Sequence, residues 1–194
     1  MLVGVLALQG AFREHQKALK ACGVNTVQVR KPEQLDELNA LVIPGGESTT
    51  MGKLLLQFDL LDAIADLGRK GMPIFGTCAG LIMLAKDIIG SDQPRLGLMD
   101  IKVERNAFGR QVFSFESELD IPPLGAKPFQ GIFIRAPYVV DVGPGVDIWA
   151  EYDSKIVCVK QDNLLAAAFH PELTDDIRLH RKFLDIVNIE PKCI

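Results

Sequence analysis

Apolar and polar positions alternate along the first half of the chain in a repeating strand-then-helix rhythm. Leu2 to Leu8 is a continuous apolar run, as expected of a strand covered on both faces, and Gly10 ends it before a helical spacing begins. Phe12, His15, Ala18/Leu19 and Cys22 follow the i, i+3, i+7, i+10 spacing of one helix face, which Gly23 terminates. Thr26 to Arg30 predicts a short strand, Pro32 to Leu38 a short helix, and Leu41 to Pro44 a strand that closes in a Pro-Gly-Gly turn. A longer helix is expected over Met51 to Arg69, a strand over Pro73 to Gly76 and a helix over Ala79 to Lys86. Strands alternating with helices predict an α/β fold with an open, mostly parallel, doubly wound sheet flanked by helices.

The second half changes character. Ile101 to Val103, Arg110 to Leu119, Gly131 to Arg135, Val146 to Tyr152, Lys155 to Lys160 and Leu164 to Phe169 read as strands separated by turns. Asp175 to Ile189 then makes a closing helix, with Ile177, Leu184 and Val187 on one stripe. No internal repeat or linker interrupts the pattern, so residues 1–194 are expected to form a single domain with a strand-rich second half.

Composition narrows the function classes. The 194 residues are 48% hydrophobic and 24% charged, which suits a packed globular domain rather than a disordered chain. With a net charge of −4 and no basic run longer than a pair, the electrostatic footprint of a nucleic-acid binder is missing. The apolar runs Met1 to Leu8 and Ala79 to Ala85 fall far short of the roughly 18 to 20 residues needed to cross a bilayer. Met1 to Leu8 also lacks the basic flank and cleavage site of a signal peptide. The four cysteines, Cys22, Cys78, Cys158 and Cys193, lie far apart without a C-x-x-C pair, so the expected compartment is reducing cytoplasm.

Chemistry concentrates at three places. Gly76-Thr77-Cys78-Ala79-Gly80 sits where a predicted strand meets a predicted helix, the layout of a nucleophile elbow. Its glycines permit close approach of backbone and substrate, and a helix N-terminus favours the thiolate that attacks carbonyls. Cys22, on an apolar helix face, and Cys158, within a strand, read instead as packed core residues. Of the three histidines, His15 and His180 lie on helices and read as packed or surface groups. His170 ends an apolar run at a strand's carboxyl end, the edge where open α/β sheets build their sites. Pro171 fixes the turn after it, so that Glu172 can curl back onto the imidazole and set its tautomer, as the third member of a triad does.

The third place is Pro44-Gly45-Gly46-Glu47-Ser48-Thr49-Thr50. Ser48 or Thr49 is expected to cap the following helix, while a glycine N–H can face a developing oxyanion, with Ala79 N–H as the second donor. The GK[ST] ending of a phosphate loop is missing.

The cysteine elbow, the glycine turn and the late His-Pro-Glu together resemble the class I, or triad, glutamine amidotransferases. More narrowly, PGGEST, FGTCAGLI, ERNAFGRQ, FIRAP and FHPELT, in this order over nearly the whole chain, are similar to the glutaminase subunits of pyridoxal 5′-phosphate synthases. The resemblance implies a flavodoxin-like glutaminase fold and hydrolysis of L-glutamine to L-glutamate and ammonia by Cys78, His170 and Glu172. It further implies an oxyanion hole at Gly46 and Ala79. Glutamine would be held by Gly46, Glu47, Ser48, Arg105, Ile134 and Arg135. No cofactor or metal is implied, and the partner is a synthase subunit that accepts the ammonia within a hetero-oligomeric complex. Three alternatives stay open. These are a subunit serving a different synthase, a stand-alone cysteine hydrolase on the same fold, and a non-catalytic flavodoxin-like module in which Cys78 senses oxidants.

Overall fold

In chain order the elements are β1 (Leu2–Leu6), α1 (Phe12–Ala21), β2 (Asn25–Val29), β3 (Ala40–Ile43), α2 (Ser48–Gln57), α3 (Leu60–Arg69), β4 (Ile74–Thr77) and α4 (Ala79–Leu84). There follow β5 (Ala85–Ile88), β6 (Met99–Glu104), β7 (Ser114–Leu119), β8 (Phe129–Ile134), β9 (Tyr138–Val142), β10 (Val146–Tyr152), β11 (Lys155–Gln161), β12 (Leu164–Ala167) and α5 (Arg178–Asn188). They come from a computed structural model that describes residues 1–105 and 114–188.

The large sheet runs β2-β1-β3-β4-β12-β11-β9-β6-β5, with β10 beside β11. From β2 to β12 every pairing is parallel, and β3, β4 and β12 consist of buried residues throughout, as strands covered on both faces must. The strand order reverses between β1 and β3, the topological switch point at which open α/β sheets open a crevice at their carboxyl ends. Beyond β12 the sheet turns antiparallel through β11, β9 and β6, which is the strand-rich half. β7 and β8 form a separate antiparallel ribbon, tied to the main sheet's edge where His170 N–H donates to Ile132 O at 2.8 Å.

β4 shows how the layers form. Its side chains alternate, so Phe75 and Thr77 meet α1 and α5 through His15, His180 and Phe183, whereas Gly76 faces Gly80 and Leu84 of α4. One helical layer is therefore α1 with α5, and α4, packed with α2 and α2 with α3, makes the opposite one.

Several boundaries depart from the pattern reading. The helix expected over Met51 to Arg69 is two helices, because Asp59 adopts a left-handed conformation (φ 56°). An unbroken helix would carry the stripe from Leu55 to Phe58 and Asp59; the break leaves Phe58 exposed and returns Leu60 and Ile64 to the core. The helix expected to reach Lys86 stops at Leu84, and Ala85–Ile88 becomes an edge strand beside β6. All six residues of α4 are buried, so no change of hydropathy marks its end. The helix expected over Pro32 to Leu38 is a single 3-10 turn at Pro32–Gln34, and β9 was not foreseen. Of the strand expected over Arg110 to Leu119, positions 110–113 lie outside the described residues. α5 buries Leu179, His180, Phe183, Leu184 and Ile186, so Ile177 and Val187 sit at the margin of its stripe; Ile189 and Cys193 lie outside the described residues.

Gly80 is where α4 touches β3 most closely: a Cβ there would overlap the Ile43 carbonyl oxygen. Backbone cannot yield as a side chain can. Gly80→Ala should therefore cost about 1–3 kcal/mol in denaturant unfolding, the range of overpacked cores. An unchanged midpoint would show that α4 can ride outward freely.

Candidate active site

The carboxyl ends of β1, β3, β4 and β12 converge on one cavity of about 310 Å³, lined by Gly45, Gly46, Glu47, Ser48, Cys78, Arg105, Ile134, Arg135 and His170. All but two of the site residues expected from the sequence share this wall. Ala79 lies beneath it as the buried first residue of α4, and Glu172 lies behind His170 with its side chain fully buried.

Cys78 occupies the sharp turn between β4 and α4 at φ 50°, ψ −101°, a conformation that L-residues adopt only when the surroundings enforce it. Its N–H donates to Ala167 O of β12 at 2.8 Å, and its Sγ approaches Ile134 O at 3.9 Å. Ala79 N–H, in the first turn of α4, has no acceptor within its own helix. Gly45 packs against both side chains: a Cβ on it would overlap His170 Cε1 and stand 3.4 Å from Cys78 Cβ. Only glycine allows the β3 turn to pass there.

His170 Nδ1 lies 2.8 Å from Glu172 Oε1, across the 3-10 turn Pro171–Leu173. Burial disfavours charge on this imidazole, but the hydrogen bonds to Cys78 and Glu172 outweigh it and push the pKa up to about 10. Burial also works against charge on Glu172, yet His15 and His170 beside it hold the carboxyl below its ordinary value. A buried carboxylate is thus kept ionised against an imidazolium that faces the sulfur.

The glycine turn is held by partners that sequence reasoning did not single out. The Gln9 side chain clamps the Glu47 backbone, with Nε2 donating to Glu47 O at 2.6 Å and Oε1 accepting from Glu47 N–H at 3.3 Å. Its signal was a polar residue directly after the first strand's apolar run. The helix cap differs from expectation. Glu47, not Ser48 or Thr49, caps α2, accepting from Thr49 N–H at 3.0 Å and from Thr50 N–H and Thr50 Oγ1 at 2.7 Å. A carboxylate accepts from several donors at once, which a hydroxyl cannot match. Those bonds draw the Glu47 pKa down to about 2 in spite of its partial desolvation.

Ser48 is buried and donates to Gln93 Oε1 at 3.3 Å, as does Thr49. The same oxygen accepts from the Arg105 guanidinium at 2.8 Å, and Thr49 Oγ1 accepts from it at 3.1 Å. Gln93 thereby anchors Arg105 at the cavity wall. Residues 106–111 of the ERNAFGRQ segment lie outside the described residues. Arg135, which lines the same cavity, follows β8 in a left-handed conformation (φ 44°) and is exposed. Two arginines, beside backbone carbonyls and N–H groups, suit a small zwitterion.

The model of the SNO glutamine amidotransferase family matches residues 5–189. A pyridoxal 5′-phosphate synthase subunit PdxT from Pelotomaculum thermopropionicum is 66% identical over 185 residues, covering 95% of this chain and 94% of that one. The protein of the same name from Desulforamulus reducens is 63% identical, covering 96% of this chain and all of its own length (100%). A solved structure described as a glutamine amidotransferase superposes with a TM-score of 0.91 at 51% identity, covering 96% of this chain and 99% of that one.

The raised His170 pKa carries a pH signature. A group whose pKa is higher in the folded state stabilises the fold fully below its unfolded value, near 6.5, and loses that contribution as the pH rises through about 10. The wild-type melting temperature should fall between pH 7 and 10 by more than that of His170→Asn. Parallel profiles would contradict a charged His170.

Proposed function

Because the chain belongs to the SNO glutamine amidotransferase family, we propose that it is the glutaminase subunit of a pyridoxal 5′-phosphate synthase, releasing ammonia from L-glutamine for a synthase subunit. The observation that carries this reading is the meeting of Cys78, in its strained elbow, with the His170–Glu172 pair beside Gly45 in a cavity bounded by Arg105 and Arg135. Residues 1–194 act as one glutaminase domain.

In this reading the Cys78 thiol proton rests on His170, and the thiolate Sγ attacks the side-chain amide carbon of glutamine. His170, protonated at neutral pH, gives its proton to the departing nitrogen as the C–N bond breaks, so ammonia leaves and a glutamyl thioester remains. The imidazole, now a base, takes a proton from water, whose oxygen displaces the sulfur to give glutamate. Glu172 holds the imidazole by Nδ1 and steadies its charge in both halves. The N–H groups of Gly46 and Ala79 receive the developing oxyanion. Gly46, Glu47, Ser48, Arg105, Ile134 and Arg135 hold the amino-acid end of the substrate. Since the Glu47 carboxylate is engaged in capping α2, its contribution is to shape the wall through its backbone. The free thiols of Cys22, Cys78 and Cys158 suit the reducing cytoplasm, where we place the protein. Among the described residues no helix is long and apolar enough to cross a membrane.

The Gly45–Gly46 turn is the part through which a partner would act. Gly10 lies so close that a Cβ on it would overlap the Gly45 carbonyl oxygen, and Gln9 grips the next residue, so the turn's orientation is coupled to the segment that leads into α1. Docking at that segment can reorient the peptide and complete the oxyanion donors, each worth roughly 10²- to 10³-fold in rate. Ammonia release from glutamine, measured with the chain alone and with the synthase subunit added, should rise by about that factor in kcat. Cys78→Ala should abolish it in both. Equal kcat with and without a bound partner would contradict switching, and turnover by Cys78→Ala would contradict the nucleophile.

A further inference from the structure

Behind the Cys78–His170–Glu172 line lies a second polar group that the reaction described above does not use. His15 on α1 and His180 on α5 are both wholly buried, in a layer otherwise built from Phe75, Phe183 and aliphatic side chains. His15 Nε2 lies 3.3 Å from Glu172 Oε2 and 3.0 Å from Thr77 Oγ1, on the residue directly before Cys78. His15 Nδ1 lies 3.0 Å from His180 Nε2. His180 Nδ1 has no partner among the described residues.

These contacts determine the protons. The ionised Glu172 only accepts, so the His15 nitrogen beside it is the protonated one: Nε2–H bonds the Thr77 hydroxyl oxygen and lies 3.3 Å from Glu172 Oε2, a polar contact outside hydrogen-bond geometry. A neutral His15 then has a bare Nδ1, which accepts from His180 Nε2–H, and His180 Nδ1 is left as an unshared lone pair rather than a stranded donor. Burial, aided by neighbouring His170, holds the His15 pKa below its ordinary value against the pull of Glu172 and Glu14. Burial and His15 bring His180 down to about 3 against the pull of Glu172. Both rings are therefore neutral at physiological pH, as this proton arrangement requires.

We propose that His15, oriented by His180, is a positioning residue for glutamine hydrolysis: it fixes the second carboxylate oxygen of Glu172 and thereby the plane in which Glu172 holds His170. The proposal rests on the glutaminase reading of the site. Its physical basis is the asymmetry of the buried carboxylate. Oε1 is bound by His170, whereas Oε2 has no hydrogen-bond partner among the described residues and faces the His15 Nε2 at 3.3 Å. Without the Nε2–H dipole of His15 in front of it, the buried Oε2 would face no polar group on that side, a costly state that the carboxylate relieves by rotating and carrying the imidazole off the line to Cys78. Groups that orient a catalytic ligand from behind are commonly worth about 10- to 100-fold in activity. The ordered line runs from α5 through α1 to the elbow: His180, His15, Glu172, His170, Cys78.

The test compares His15→Asn with His15→Gln in the complex with the synthase subunit. The asparagine amide reaches only the Nδ1 position, whereas the glutamine amide reaches the Nε2 position and can donate to Glu172; both keep the site polar. His15→Asn should lower kcat for ammonia release by about 10- to 100-fold with the glutamine KM nearly unchanged, and His15→Gln should recover most of the loss. On a Glu172→Ala background, His15→Asn should cost nothing further, because the residue through which it acts is gone. Equal losses in the two variants, undiminished kcat in His15→Asn, or losses that multiply with that of Glu172→Ala would overturn the proposal. A wild-type complex that releases no ammonia would instead overturn the glutaminase reading and this proposal with it.

Discussion

The parallel pairing of β4 with β12 is the constraint on which the site depends. Ile74 to Thr77 lie opposite Leu164 to Ala167 in register, and the ladder continues one step further, where Cys78 N–H bonds to Ala167 O at 2.8 Å. That register brings Cys78 and His170 to the same sheet edge from segments far apart in sequence. A slip by one residue would turn Thr77 and Phe75 to the α4 side and remove the elbow from the imidazole. β3, paired to the other side of β4, brings Gly45 against both of them. The crevice at the reversal of strand order is thus a geometric product of sheet topology, and the chemistry occupies it because loops at strand ends are free to vary while the strands are not.

Electrostatics at this edge follow from burial. A carboxylate with no exposed side-chain surface would be costly alone, and its charge persists because an imidazolium and a second imidazole face its two oxygens. The same burial that depresses His15 and His180 leaves His170 charged, because only His170 is bonded to both Glu172 and Cys78. Three histidines in one small region thereby hold two protonation states, one charged and two neutral, each set by its neighbours. The glycine turn obeys the same economy of space: Gly10, Gly45 and Gly80 stand where any Cβ would collide with backbone or with the imidazole.

Much of this was legible in the chain. The alternation of apolar runs with amphipathic stretches indicated the parallel half, and the glycine frames of Cys78 and Gly45 marked the strand ends, because both signals are local. His-Pro-Glu was legible for the same reason, its two functional groups being separated by one rigid residue. The relay behind Glu172 was not. His15 and His180 each looked like an isolated polar residue on a helix, and only the packing of α1 against α5 brings His15 Nδ1 to 3.0 Å from His180 Nε2. Gln93 likewise acquires meaning only when it meets Arg105 and Ser48 across the cavity wall. Local context also misjudged the ends of α4 and α2: one is buried on all sides, and the other is capped by a carboxylate that competes with two hydroxyl neighbours.

The central claim is that a covalent glutamyl intermediate forms on Cys78 under the control of His170. The most direct measurement is mass spectrometry of the complex, acid-quenched during turnover of glutamine, with peptide mapping of any adduct. The account predicts a glutamyl thioester on the peptide containing Cys78, accumulating further when His170→Asn slows its hydrolysis more than its formation. Glutamate production with no adduct on Cys78 in either protein, or an adduct on Cys22 or Cys158, would contradict it.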